Sequence, residues 1–71
     1  MAGSELDRLV DMANDIALNL EAYPDAPARV SDHLRRFWAP SMRELITAHV
    51  RAGGQGLSDT ALAAVKALDE R

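Results

Sequence analysis

Hydrophobic residues recur along this chain at steps of three and four, without the strict alternation of a half-buried strand, and the spacing predicts four helices. The first has the cleanest pattern. Leu6, Leu9, Val10, Ala13, Ile16, Ala17 and Leu20 fall within an arc of about 120° at 100° per residue. One face is therefore apolar, and Asp7, Asp11, Asn14 and Asp15 lie on the other. Ser4 caps this helix, Asp7 completes an aspartate version of the capping box, and the helix is predicted to run to about Glu21. Tyr23-Pro24-Asp25-Ala26-Pro27 follows. It interrupts the helix because a residue before proline is pushed out of the helical region and proline has no amide to donate.

The second helix starts with Asp25 as cap and Pro27 in its first turn, and its buried stripe is Val30, His33, Leu34 and Phe37. It is predicted to stop near Trp38, where Ala39-Pro40 forces a break. Pro40 opens a third helix whose stripe is Met42, Leu45, Ile46, His49 and Val50, and Gly53 or Gly54 ends it with a left-handed cap. Beyond Gly53-Gly54-Gln55-Gly56, Ser58 caps a fourth helix carrying Leu62, Val65 and Leu68, with Leu57 and Leu62 forming a hydrophobic staple. The expected fold is all-α: a small bundle of about four short helices in a single domain over residues 1–71.

At 71 residues and 48% hydrophobic composition the chain supports one small core. A chain of this size buries roughly 60% of its unfolded surface, and such a core rarely supplies more than about 3–5 kcal/mol without a staple. The absence of cysteine excludes a disulfide framework, a thiolate nucleophile and Cys-rich metal sites. Another protein is the expected staple. No apolar run approaches the roughly 20 residues that cross a bilayer, and Met1-Ala2-Gly3-Ser4-Glu5 has neither a basic region nor an apolar run typical of a leader. The expectation is a cytoplasmic protein that does not engage membranes.

The net charge of -3 hides an asymmetry. Residues 1–28 carry six acidic side chains against Arg8, whereas residues 29–51 carry Arg29, Arg35, Arg36, Arg43 and Arg51 against Asp32 and Glu44. Seven of the eight basic residues are arginine, a bias that favours bidentate and stacking contacts over plain solvation.

The inventory for catalysis is thin. His33 and His49 lie sixteen residues apart on apolar stripes with no HxxxH or HxxE spacing, which suits core or edge histidines better than metal ligands. Asp11 and Asp15 sit at i, i+4 on a solvated face, and four short helices scarcely enclose the dry cleft that acid–base chemistry needs. Gly53-Gly54-Gln55-Gly56 lacks the preceding strand and the spacing of a phosphate loop, so it is expected to cap a helix. A DNA-binding reading finds mainly Arg43 and Arg51 on the candidate recognition helix, within an acidic chain. No nucleic-acid partner is expected.

The informative segment runs from His33 to Arg43. With Val30 at 0°, Leu34 falls at 40° and Phe37 at 340°, both inside the predicted core arc, whereas Trp38 at 80° lies on the rim with Arg35 a turn back, placed to stack on its ring. Arg29 and Arg36 line the other rim. Arg, Trp and Met are the residue types enriched at protein interfaces and hot spots. The expected partner-binding corner therefore comprises Arg29, His33, Arg35, Arg36, Phe37, Trp38, Pro40, Met42 and Arg43. In it Trp38 fills a partner pocket, Arg35 and Arg36 pair with carboxylates or carbonyls, and Pro40 fixes the angle between two helices; the alternative is that Trp38 closes a small core over the Ala39-Pro40 corner.

The Leu9–Ala17 stretch LVDMANDIA, Tyr23-Pro24, the block His33-Leu34-Arg35-Arg36-Phe37-Trp38 with Pro40, Met42 and Arg43 after it, and the Gly53-Gly54-Gln55-Gly56-Leu57 loop form a recognisable set. On these residues the chain resembles the small delta subunit of NAD-dependent, molybdenum- or tungsten-containing formate dehydrogenases, soluble bacterial complexes that oxidise formate to carbon dioxide. The resemblance implies a cofactor-free, non-catalytic accessory subunit that binds the large alpha subunit and supports assembly or stability. It further implies a complex in which alpha holds the pterin-bound Mo or W and iron–sulfur clusters, beta carries FMN and the NAD site, and gamma adds an iron–sulfur cluster. Two alternatives stand beside this one. The first is a dissociable maturation factor that binds apo-alpha subunit or a nucleotide-containing cofactor precursor through Arg29, Arg36 and the Gly loop; the second is a small DNA-binding module.

Overall fold

The computed structural model describes residues 4–70. Residues 1–3 and 71, on which the leader expectation and part of the charge balance fall, lie outside them. Four helices follow one another as α1 (Glu5–Leu20), α2 (Ala26–Phe37), α3 (Pro40–Arg51) and α4 (Asp59–Asp69), with no strand among the described residues.

Each helix end has a local cause. The Ser4 hydroxyl accepts from the Asp7 amide, and the Asp7 carboxylate accepts from the Ser4 amide, both at 3.3 Å, which closes the predicted capping box. Asp25 occupies the N-cap position of α2 but makes no cap hydrogen bond: its carboxylate accepts from Arg29 Nε at 2.7 Å instead. Pro27 in the first turn of α2 and Pro40 at the first position of α3 supply preset helical backbone where no amide donor is required. At the end of α3 the Gly54 amide donates to the His49 carbonyl (2.9 Å) and the Gly53 amide to the Val50 carbonyl (3.0 Å), the double closure of a Schellman motif. Gly54 sits there at φ +67°, a left-handed conformation that favours glycine, and an added Cβ would meet Leu62 Cδ1 at 2.5 Å and force that side chain to shift. Ser58 then caps α4 by accepting from the Ala61 amide.

The core is centred on α2 and α4, the pair in most extensive contact, with α1 packed on both and α3 packed on α4 and α1. Its buried residues are mostly small: Ala26, Val30 and Ser31 on α2, and Ala61, Ala64 and Val65 on α4. Small side chains bring two helix axes close together. The Ser31 hydroxyl, buried without a hydrogen-bond partner among the described residues, contributes there as a spacer. Leu34 and Ile46 are the largest side chains fully shielded from solvent.

Two expectations about the core are corrected. Phe37, placed on the buried stripe, is 72% exposed, and Trp38, placed on the rim, is 5% exposed and belongs to the core cluster. The helical projection fails because α2 ends at Phe37. Trp38 adopts extended backbone (φ -88°, ψ 141°), which leaves the helical spiral and turns the indole inward, and Phe37 on the last turn has no following turn to cover it. Leu45 is likewise exposed, because α3 contributes a single fully buried residue, Ile46, and its buried arc is narrower than the apolar stripe.

A polar tie holds the loop after α3 to α1. Asn14 Nδ2 donates to the Gly56 carbonyl (2.9 Å), while its Oδ1 accepts from the Ser58 amide (2.8 Å), so one side-chain amide satisfies two backbone groups over forty residues away in sequence.

Trp38→Ala should cost about 3–5 kcal/mol, comparable to the whole stability expected of so small a core, and leave the chain largely unfolded. Phe37→Ala should change stability by less than about 1 kcal/mol. Urea denaturation followed by circular dichroism distinguishes the two; equal losses would contradict the exchange of roles. Asn14→Ala should lower stability by about 1–3 kcal/mol by leaving its two backbone partners unpaired, which a thermal melt would register.

Candidate functional site

The exposed ring of Phe37 stands beside a shallow concavity of about 440 Å3 lined by Met12, Asp15, Ile16, His33, Phe37, Trp38 and Met42. Three helices build it. α1 supplies Met12 and Ile16 one turn apart, the last turns of α2 supply His33 and Phe37, and the first turn of α3 supplies Met42. Its floor includes the edge of the buried Trp38. The His33 and Phe37 rings pack at a centroid distance of 4.8 Å with a 43° tilt, so Phe37 projects as a braced ridge. On its far side a second cleft is lined by Leu20, Arg29, Asp32, His33, Arg36 and Phe37.

The arginines of this region are engaged within the chain. Arg29 pairs with Asp25 at 2.7 Å and lies over the Tyr23 ring, 4.1 Å from its centroid, a cation–π contact that ties the turn before α2 to its second turn. Arg35 and Arg36 both pair with Asp32, at 2.5 and 2.9 Å. One carboxylate thus answers two guanidinium groups, and one positive charge is left in excess on this rim. The expected stacking of Arg35 on Trp38 is absent, because the indole is buried and the guanidinium is turned to Asp32. Arg43, expected at a partner surface, instead reaches back to donate to the Trp38 and Arg35 carbonyls. It closes the free C-terminal end of α2 and braces the corner with α3. Pro40 and Arg43 border a different opening, with Thr47 and Asp69.

Of the nine residues expected at the partner corner, His33, Phe37 and Met42 share the concavity, Trp38 underlies it, and Arg29 and Arg36 flank the ridge. Arg35, Pro40 and Arg43 line neither cleft. Sequence reasoning missed Met12 and assigned Asp15 to an ordinary solvated face. Met12 lies four residues before Ile16 on the same side of α1, and that spacing was the available signal.

The remaining candidates have structural roles. His49 is half-buried and its Nε2 donates to the Gln55 carbonyl at 2.7 Å, which pins the loop after α3. In the loop the amides of Gly53, Gly54, Leu57 and Ser58 all have acceptors within the chain, in keeping with a helix cap. A larger cleft of about 570 Å3 lies between α1 and α4, but Asp15, Glu21 and Asp59 on its walls make it acidic. Among the described residues no three His, Asp or Glu side chains converge to hold a metal ion, and no helix is long and apolar enough to cross a membrane.

Residues 8–65 match the family described as NADH-dependent formate dehydrogenase delta subunit FdsD. The chain belongs to this family. The matched span takes in every residue of the Phe37 concavity and the Asn14-tied loop. No curated protein and no solved structure matches the chain.

The ion pairs of the ridge carry a pH signature. The hydrogen bond from Arg29 holds the Asp25 carboxyl below its ordinary value. Burial pushes Asp32 up, but the Arg35 hydrogen bond and the charges of Arg36 and Arg35 outweigh it and leave its carboxyl lowered as well. Groups depressed on folding stabilise the fold above the unfolded carboxylate value, about 3.9, and that contribution is lost as the pH falls through their folded values. The urea midpoint should therefore fall on acidification below about pH 4. An Asp25→Asn, Asp32→Asn double variant should show a shallower acid limb, and an unchanged limb would exclude these pairs as its source.

Proposed function

We propose that this delta-family chain is a non-catalytic accessory subunit that docks on the large alpha subunit of an NAD-dependent formate dehydrogenase and supports the assembly or stability of the complex. The observation that carries this reading is the exposed Phe37 ridge beside the concavity of Met12, Ile16 and Met42, on a chain whose own core is dominated by alanine and valine. Large exposed aromatics beside methionines mark protein-binding surfaces, and permanent subunit interfaces are more apolar than transient ones. The family membership supports a formate dehydrogenase complex as the place of docking. The anchor is Phe37, which replaces Trp38 in that role; Trp38 supports the ridge from below.

In this reading the complex also contains beta and gamma subunits and works in the cytoplasm. The redox groups, a pterin-bound Mo or W, iron–sulfur clusters, FMN and NAD, are carried by the other subunits. A chain without cysteine has no thiolates for a cluster.

The test is a pull-down of the tagged chain from its native cytoplasm, with formate-dependent NAD reduction assayed on the eluate. Stoichiometric recovery of active enzyme is expected. Phe37→Ala should weaken docking by about 2 kcal/mol, roughly 30-fold in Kd, while the variant's thermal melt stays near that of the parent. Undiminished affinity would remove Phe37 as the anchor. Recovery of only inactive, cofactor-poor alpha subunit would make the chain a dissociable maturation factor, and strong salt-dependent retention on duplex DNA would favour a DNA-binding module.

A further inference from the structure

The Phe37 face is complementary to itself, and we infer that the free subunit covers it with a second copy of this chain, which the enzyme must displace on docking. The inference rests on the docking reading for its regulatory meaning and on geometry for the dimer. A ridge and a hollow of matching chemistry lie side by side: Phe37, 72% exposed and braced by His33, next to the concavity of Met12, Ile16 and Met42. A two-fold axis running between ridge and hollow seats each copy's Phe37 in the other copy's hollow, the arrangement of an isologous interface.

Charge selects the same axis. Asp15 borders the hollow and has no ion-pair partner among the described residues, whereas the far side of the ridge carries Arg36 and Asp32, and because Asp32 also pairs with Arg35 one positive charge is in excess around it. Rotation about an axis along the ridge brings Asp15 of one copy over Arg36 of the other. The perpendicular axis would set like charges against each other, an arrangement that the electrostatics disfavour. A second copy turned about this axis therefore offers each half of the rim its complement.

The consequence is a coupled equilibrium. Only monomer presents a free ridge, so the apparent affinity for the enzyme falls by the fraction of chain held as dimer, and assembly becomes sensitive to subunit concentration.

Sedimentation and light scattering on the full chain test this across a concentration series. The expected result is a reversible, concentration-dependent species of twice the chain mass. Phe37→Asp should abolish it while keeping the helical circular dichroism of the parent. Asp15→Arg and Arg36→Asp should each weaken it at least tenfold, and the chain carrying both should regain it, a rescue that a merely destabilised fold would not show. A monomer at all concentrations overturns the inference, and so does a dimer that survives Phe37→Asp. Addition of enzyme purified without this subunit should convert dimer to a mixed complex. A Phe37-dependent dimer that never transfers to the enzyme would refute the docking reading and the exchange while leaving the self-association standing, so the two failures differ.

Discussion

The point at which α2 stops governs the rest of the molecule. Ala39 precedes Pro40, so its backbone is pushed to extended values, and the helix unwinds one residue earlier, at Trp38. That single step decides which of two adjacent aromatics is inside. Had the helix continued, Phe37 would have stayed on the buried stripe and Trp38 on the rim. With the break, the indole swings into the core and closes the bundle beside Leu34 and Ile46, and the phenyl ring is left as a ridge. Arg43 holds the broken end by donating to the Trp38 and Arg35 carbonyls, so the corner is supported by a hydrogen-bonded cation and not by the proline alone.

The same step explains how a core of alanines and valines remains closed. Ala61, Ala64 and Val65 of α4 and Ala26, Val30 and Ser31 of α2 permit close approach but bury little area per residue. One tryptophan adds more apolar surface than any of them. The indole also lines the outer concavity, so the core and this exposed face share one residue. Loss of Trp38 would remove both, which is why binding loss alone in such a variant could not assign it to an interface.

Most of the fold was legible from the chain. The α1 stripe, the Ser4 box, the Pro40 start, the Gly53-Gly54 stop and the Ser58 cap each depend on interactions within a few residues, and local rules describe those well. The candidate site was legible only in part. Its location around His33–Met42 followed from residue types, but its polarity did not, because a helical wheel assumes that the helix continues through the residue being projected. Asn14 was invisible for another reason: its two partners, Gly56 and Ser58, are distant in sequence, and nothing in a polar residue on a polar face announces a long-range tie.

The arginines are largely engaged within the folded chain. Their concentration in residues 29–51 suggested a cationic contact surface. In the folded chain Arg29 is committed to Asp25 and Tyr23, Arg35 and Arg36 share Asp32, Arg43 closes α2, and Arg51 forms a two-point pair with Asp69 that joins α3 to α4. Exposed pairs of this kind contribute little stability each. Their effect is to neutralise the polar flank locally, so that the surface around Phe37 is left apolar with small residual charges of opposite sign on its two rims. A partner that recognised arginines would bind more weakly as salt rises, whereas one that recognises this ridge and hollow is held by apolar burial, which salt does not screen. For a chain of the delta-subunit family, that makes burial of the Phe37 face, and not charge, the stronger contribution to any docking there.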